Sequence, residues 1–429
     1  MHVCTSEPLI NQMQARDEKV VAKYLQTYAE PECNYLPELP RFDHCLVIPA
    51  FDETFEDLER VWERISGSYL VILVVNAPRE HHVATIKLLQ EAASRGTKVA
   101  SKGLCTYLKG TPDILLVDRC SAGNAIAPRL GVGLARKIGA DIALRLISEG
   151  TVRSHRISST DADAVLPGDY FATSLADEDA ALIFPFSHQH EAGLQIPTLL
   201  YEISILYYAC ALDWAGSHYG YASLGSSMAV SAAHYAKVRG FPRRNAAEDF
   251  YLLNKLAKTG AIRRILTTPI LVSGRLSNRV PVGTGPGISK IADLDSPLEN
   301  YRFYHPRIFA LLKEFLLTLT TTWDTQGTFA SAAPEIQHYC QAHDLLEFIV
   351  KQRAHHKQER VFNKFLSDWF DAFRTLKFVH FMRDNYLPSV PLSELGEAEF
   401  VNPELLTDLP IFKRQLSGKL FKPASRPVE

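Results

Sequence analysis

The chain has 429 residues, 46% of them hydrophobic and 22% charged, with a formal net charge of −2. That length exceeds one ordinary core, and the composition excludes a disordered chain and offers no basic field for a nucleic-acid partner. Seven cysteines (Cys4, Cys33, Cys45, Cys105, Cys120, Cys210 and Cys340) are scattered without a Cys-x-x-Cys. This is the pattern of reduced, cytoplasmic thiols, not of a disulfide framework or a zinc site. Residues 1–20 contain no signal-peptide core, and no run approaches the roughly 20 apolar residues of a membrane span. A polymer-threading channel within the chain is excluded; work at the cytoplasmic face of a membrane is not.

Residues 1–40 read as a polar arm with one helix over 17–28, ending before Pro31 and the cluster Pro37–Pro40. From 41 to 290, strands over 45–49, 70–76, 114–117, 156–160 and 181–186 alternate with helices over 55–65, 82–93 and 125–138. Such alternation predicts an α/β, Rossmann-like, mainly parallel sheet with helices on both faces and ligands at the strand carboxyl ends. Residues 291–429 read as helical. Phe362, Phe365, Leu366, Trp369, Phe373 and Leu376 keep helical spacing, a stripe suited to packing on the preceding domain or on a second copy in a homo-oligomer. The competing reading is peripheral membrane contact, from Lys413, Arg414, Lys419, Lys422 and Arg426 interleaved with Phe412, Leu416, Leu420 and Phe421.

Asp161 and Asp163 end the 156–160 strand. In the turn that follows, two carboxylates one residue apart can converge on one divalent cation and leave its other positions to a diphosphate. A turn or helix cap competes, since Pro167-Gly168 follows. About ninety residues on, Asn245 can cap a helix over 246–258 with Glu248 completing a capping box. Asp249 shares the stripe of Leu253 and Leu256, so it points inward, where burial raises a carboxyl pKa towards that of a useful general base.

Pro49, Ala50 and Glu53 open the first strand-to-helix turn, and Asn76 ends the second strand. Each can face a nucleobase or ribose, or simply build a turn. Arg129, on the predicted 125–138 helix, and Arg279, in the glycine-rich loop 273–287 with Arg275, can reach a diphosphate. A solvated helix face and a plain linker compete. Gly131-Val132-Gly133 lacks the third glycine and preceding strand of a dinucleotide fingerprint. His188 and His190 share a face if on a strand, but spacing gives them no acidic partner.

As a set, these stretches resemble a family 2 glycosyltransferase of the GT-A fold. The matching segments are Val47-Ile48-Pro49-Ala50 with Glu53, Gly123 to Gly131, Ser159-Thr160-Asp161-Ala162-Asp163, Gly225 to Val230, and Gly240-Phe241-Pro242 with Glu248-Asp249-Phe250. They span about 41–270. The resemblance implies Mg2+ or Mn2+ on Asp161 and Asp163 beneath a nucleotide-sugar diphosphate, and Asp249 as the base that deprotonates a small-molecule, glycan or lipid-linked acceptor. Asn76 replaces the usual acidic residue, which leaves UDP- and GDP-linked donors open. The long segment 140–155 and the lack of a Gln/Arg-x-x-Arg-Trp run imply transfer of a single sugar. A lone base implies inversion; a retaining transferase, a nucleotidyltransferase and a non-catalytic sugar-nucleotide-binding protein are the alternatives.

Overall fold

The computed structural model describes residues 15–277, 279, 283–324 and 332–421. Cys4, Lys422 and Arg426, and loop residues 278 and 280–282, lie outside the described residues.

The strands are β1 (His44–Ala50), β2 (Tyr69–Asn76), β3 (Thr97–Lys102), β4 (Cys105–Lys109), β5 (Asp113–Arg119), β6 (Arg156–Ser159), β7 (Asp179–Ile183), β8 (Phe186–Gln189), β9 (Met228–Ser231), β10 (Ala261–Arg264) and β11 (Ile270–Ser273). Nine form one sheet in the order β10-β7-β9-β6-β1-β2-β5-β4-β3, while β8 and β11 form a separate parallel ribbon. The centre, β6-β1-β2-β5, is parallel. β1, β2 and the middle of β5 are apolar runs, and all eight residues of β2 are buried, as befits strands covered on both sides. Antiparallel pairing flanks that centre: β4 and β3 on one side, and β9 inserted between β6 and β7 on the other. The sheet is therefore α/β and mixed, with parallel character confined to the middle and to the β7–β10 pair. The single strand expected over 181–186 is two, broken at Pro185, which cannot donate to a ladder.

The helix expected over 125–138 starts later and runs further, Gly131–Ser148. Residues 120–130 instead form turns, begun by Asp118, whose carboxylate accepts from the amides of Cys120 at 3.1 Å and Ser121 at 2.9 Å. From Gly133 to Ile147 this helix is buried except at Arg145 and packs on β1 and β2. The arm helix, Ala15–Thr27, packs beside it through a buried charge cluster. Asp141 accepts from the Tyr24 hydroxyl (2.6 Å), the Tyr235 hydroxyl (2.8 Å) and Lys137 Nζ (2.8 Å). Every oxygen of that carboxylate is engaged, which is what a buried charge requires.

Two expectations for the C-terminal region change. The aromatic stripe is divided between the helices Glu359–Trp369 and Ala372–Asn385, because Asp371 interrupts the first and caps the second through the Arg374 amide at 3.2 Å. Phe362 and Leu366 are buried, whereas Phe373 is 41% exposed. The tail helix, Leu409–Leu420, lies along the long Gln195–Trp214 helix with Phe412, Leu416, Leu420 and the following Phe421 buried. The apolar half of the pattern read as membrane-facing is used inside the protein. Among the described residues no helix is long and apolar enough to cross a membrane.

Candidate active site

Because β2, β1 and β6 are adjacent and parallel, their carboxyl ends open at one edge of the sheet. Beyond β6 the Thr160 amide donates to the Val47 carbonyl at 3.1 Å, and its hydroxyl to the Ser226 carbonyl at 3.0 Å. Thr160 is thus held as a strand-like extension, and Asp161 and Asp163 follow at the rim. Beyond β1 the chain turns at Phe51. Pro49 and Ala50, expected in that turn, are buried strand residues, Pro49 in register with Val74. Asp52 then adopts φ +56° and its amide donates to Thr85 Oγ1 at 3.2 Å, which sends Glu53 back across the strand ends.

Glu53 meets the loop that follows β11. Arg275 Nη2 lies 2.5 Å from Glu53 Oε2 and 3.0 Å from Asp163 Oδ2. Arg279 donates to the Phe51 carbonyl at 2.7 Å and pairs with Glu53 Oε1. The glycine-rich loop therefore carries both of its arginines to the acidic strand ends. Burial pushes the Asp163 carboxyl up to about 7, reinforced by Glu53 and Asp161 and opposed by Arg275 and Arg279.

Arg136 is a residue that the sequence reading did not single out. It stands 2% exposed on the Gly131–Ser148 helix, beneath Asp161. Its Nη2 is 2.6 Å from Asp161 Oδ1, its Nε 3.1 Å from Glu248 Oε1, and its Nη1 2.8 Å from Ser159 Oγ and 3.1 Å from the Gly225 carbonyl. One buried guanidinium thus joins the two halves of the site. One glycine makes room for the guanidinium and another for the segment that carries Glu248. A Cβ at Gly225 would meet Arg136 Nη2 at 2.6 Å, and one at Gly133 would run into the carbonyls of Pro242 and Arg244, where the chain crosses the helix on its way to Glu248. Arg136→Met keeps the length but strands the buried Glu248 carboxylate and releases the partly exposed Asp161, so it is expected to cost about 3–5 kcal/mol in denaturant unfolding, the usual loss on breaking a buried pair. Arg136→Lys, which cannot fork to four acceptors, is expected to recover only part of that.

Glu248 and Asp249 begin the Glu248–Leu256 helix. The expected capping box does not form. Ala247, in the left-handed region at φ +57°, is the N-cap, no side chain caps it, and Asn245 is exposed. Glu248 is instead fixed by Arg136. An alanine in that conformation costs on the order of 1 kcal/mol, and such strain tends to persist where neighbouring structure over-determines it. Its effect here is to start the helix at the acidic pair. Leu253 and Leu256 are fully buried, while Asp249 sits half-buried at the helix start with its Oδ1 accepting from the Phe250 amide at 2.7 Å. Burial, then Glu248, pushes the Asp249 carboxyl up to about 7, against the pull of Arg136.

The remaining expected residues divide. Asn76 is buried at the end of β2, and its Oδ1 has no hydrogen-bond partner among the described residues. Arg129 is exposed in the turn before the Gly131–Ser148 helix, not on a helix. His188 does have an acidic partner, Glu202 at 3.2 Å, supplied by the Gln195–Trp214 helix and so invisible to local spacing; His190 is exposed. Among the described residues no group of three or more His, Cys, Asp or Glu side chains is arranged to hold a metal ion by itself.

No family model and no curated protein matches the chain. Among solved structures, the chain is similar to that described as mannosyltransferase PcManGT from Pyrobaculum calidifontis in complex with GDP-Man and Mn2+. That likeness has 15% identity and a TM-score of 0.35, and covers 86% of this chain and 96% of that one.

Proposed function

We propose that this chain is a glycosyltransferase of the GT-A fold, resembling family 2, that moves one sugar from a UDP- or GDP-linked donor to an acceptor hydroxyl with inversion. In this reading residues 41–290 are the catalytic domain, 1–40 an arm and 291–429 a helical addition. The observation that carries the reading is the arrangement at one sheet edge of Glu53, Asp161 and Asp163 with Arg275 and Arg279, joined through Arg136 to Glu248 and its neighbour Asp249. A diphosphate leaving group needs cationic neutralisation, and the acceptor needs a base on the other side of the anomeric carbon; both kinds of group are present.

The donor set of Asp161 and Asp163, hard carboxylates without a third protein ligand, fits Mg2+ or Mn2+ completed by phosphate oxygens and water, not a closed protein cage. Such a cation supplies charge stabilisation to the departing diphosphate. The chain's own residues do the rest. Asp249 accepts the acceptor proton as its oxygen bonds to the anomeric carbon. The bond from that carbon to the diphosphate oxygen breaks, and its electron pair leaves with the nucleoside diphosphate. Arg275 and Arg279, on the segment that follows β11, are suited to exchange carboxylate partners for phosphate oxygens. Asn76, with its unpartnered oxygen, is a candidate for the base edge or ribose.

A panel of UDP- and GDP-sugars, scored for release of free nucleoside diphosphate with and without Mn2+, tests the assignment. Release from one donor class with added acceptor is expected. No turnover and no binding of any nucleoside diphosphate would sink it.

A further inference from the structure

The C-terminal helix reaches the active-site edge through a buried polar chain that the reaction scheme leaves unused. Glu202, on the Gln195–Trp214 helix, is 1% exposed. Its Oε2 accepts from the His188 amide at 2.8 Å and faces His188 Nδ1 at 3.2 Å; its Oε1 lies 3.2 Å from Lys413 Nζ on the Leu409–Leu420 helix. Lys413 also donates to Ser187 Oγ on β8 at 2.9 Å. Burial pushes the Glu202 carboxyl up, but His188 and Lys413 outweigh it and hold the group below its ordinary value. An ionised carboxylate only accepts, so the Nδ1 facing it carries the proton and Nε2 is left as an acceptor. Thr284 Oγ1 lies 3.3 Å from that Nε2 and is its donor.

Thr284 is the first residue of the Thr284–Ala292 helix, directly after the segment that holds Arg275 and Arg279. The other end of that segment is fixed to the same frame: β11 pairs with β8, and the Gly274 amide donates to the Gln189 carbonyl at 2.7 Å. Both ends of the arginine loop are therefore hung on β8 and the Gln195–Trp214 helix. The Leu409–Leu420 helix braces both elements, through Lys413 and through Cys210 Sγ against the Leu416 carbonyl at 3.3 Å.

We infer that Lys413 is a positioning residue: by pairing with Glu202 it fixes His188 and Thr284, and so sets where the arginine loop meets the donor diphosphate. Without the lysine, Glu202 Oε1 loses its ion partner, the carboxylate is held only through Oε2 by the His188 amide and Nδ1, and the imidazole is no longer fixed where Nε2 meets Thr284. The loop then loses the mooring at its Thr284 end. The role of the loop rests on the functional reading above; the mooring itself does not.

The test uses the full chain with Lys413→Met, Lys413→Arg and Thr284→Val, the last removing the hydroxyl without disturbing a buried charge. Two quantities are measured: backbone amide exchange over residues 284–292, which includes the Gly287 amide bonded to the Gly283 carbonyl at 3.0 Å, and the donor KM and kcat. The expected result is faster exchange there in Lys413→Met and Thr284→Val, donor KM raised about tenfold, a free-energy change of ordinary hydrogen-bond size, kcat within about twofold, and recovery in Lys413→Arg. Unchanged exchange in both variants overturns the inference, even if Lys413→Met lowers overall stability. Faster exchange with an unchanged donor KM upholds the mooring and removes the arginine loop from donor binding.

Discussion

Asp249→Asn is expected to bind donor as the parent does and to turn over about 10²–10⁴-fold more slowly, the range for loss of a general base. The amide keeps the shape and still accepts from the Phe250 amide, a bond of 2.7 Å in the parent, so the helix start is preserved. What it loses is the capacity to take a proton. The pH profile gives a second readout. The Asp249 carboxyl is pushed up to about 7 by burial and by Glu248, and the base acts only when deprotonated. Parent kcat should therefore fall as pH drops through 7, and more steeply than the residual rate of Asp249→Asn, in which Asp163 is left to titrate in that range. If the leaving diphosphate takes the acceptor proton instead, as in a retaining transferase, the loss should be under about tenfold and the fall with pH should keep the parent's steepness. Proton NMR of the first-formed product separates the two: an anomeric configuration matching the donor's excludes inversion.

What could be read from the sequence follows from where the information is stored. β1, β2 and β5 are buried on both faces, so they appear as apolar runs, whereas β6, Arg-Ile-Ser-Ser, is just as buried but polar, its arginine and serines bonded internally. β3, Thr-Lys-Val-Ala-Ser-Lys, is an exposed edge strand with no apolar run to announce it, and β9 has four residues. The Gly131–Ser148 helix was misplaced because it is buried nearly all round, which erases the one-sided periodicity that marks a helix boundary. Arg136 was illegible in a deeper sense. An arginine among apolar residues on a helix reads as solvated, and nothing local reveals that Asp161 and Glu248, from two distant segments, close on it. The Asn245 cap failed at one torsion: Ala247 goes left-handed and the helix begins two residues later than the pattern suggests. Short-range chemistry fixed which side chains are acidic or cationic; tertiary placement fixed which of them meet.

Asp161→Ala and Asp163→Ala should each abolish turnover, and excess EDTA should do the same to the parent, with recovery on adding Mg2+ or Mn2+. The expectation follows from two hard carboxylates at the strand end, with phosphate oxygens completing the shell of any cation they hold. The two variants should differ in stability, which separates a lost site from a lost fold. Asp161 is the partner of a buried arginine. Its removal leaves Arg136 with Glu248, Ser159 and Gly225 but strands Nη2, at a cost of about 1–3 kcal/mol. Asp163 is crowded by Glu53 and Asp161, which with burial raise its pKa to about 7, and its ion partner Arg275 keeps Glu53 when it is gone. Asp163→Ala should therefore fold as stably as the parent, or slightly more so at neutral pH, and still be inactive. Full activity of the parent in EDTA would show that Arg275 and Arg279 neutralise the diphosphate without a cation, and activity in Asp163→Ala would remove that carboxylate from the site.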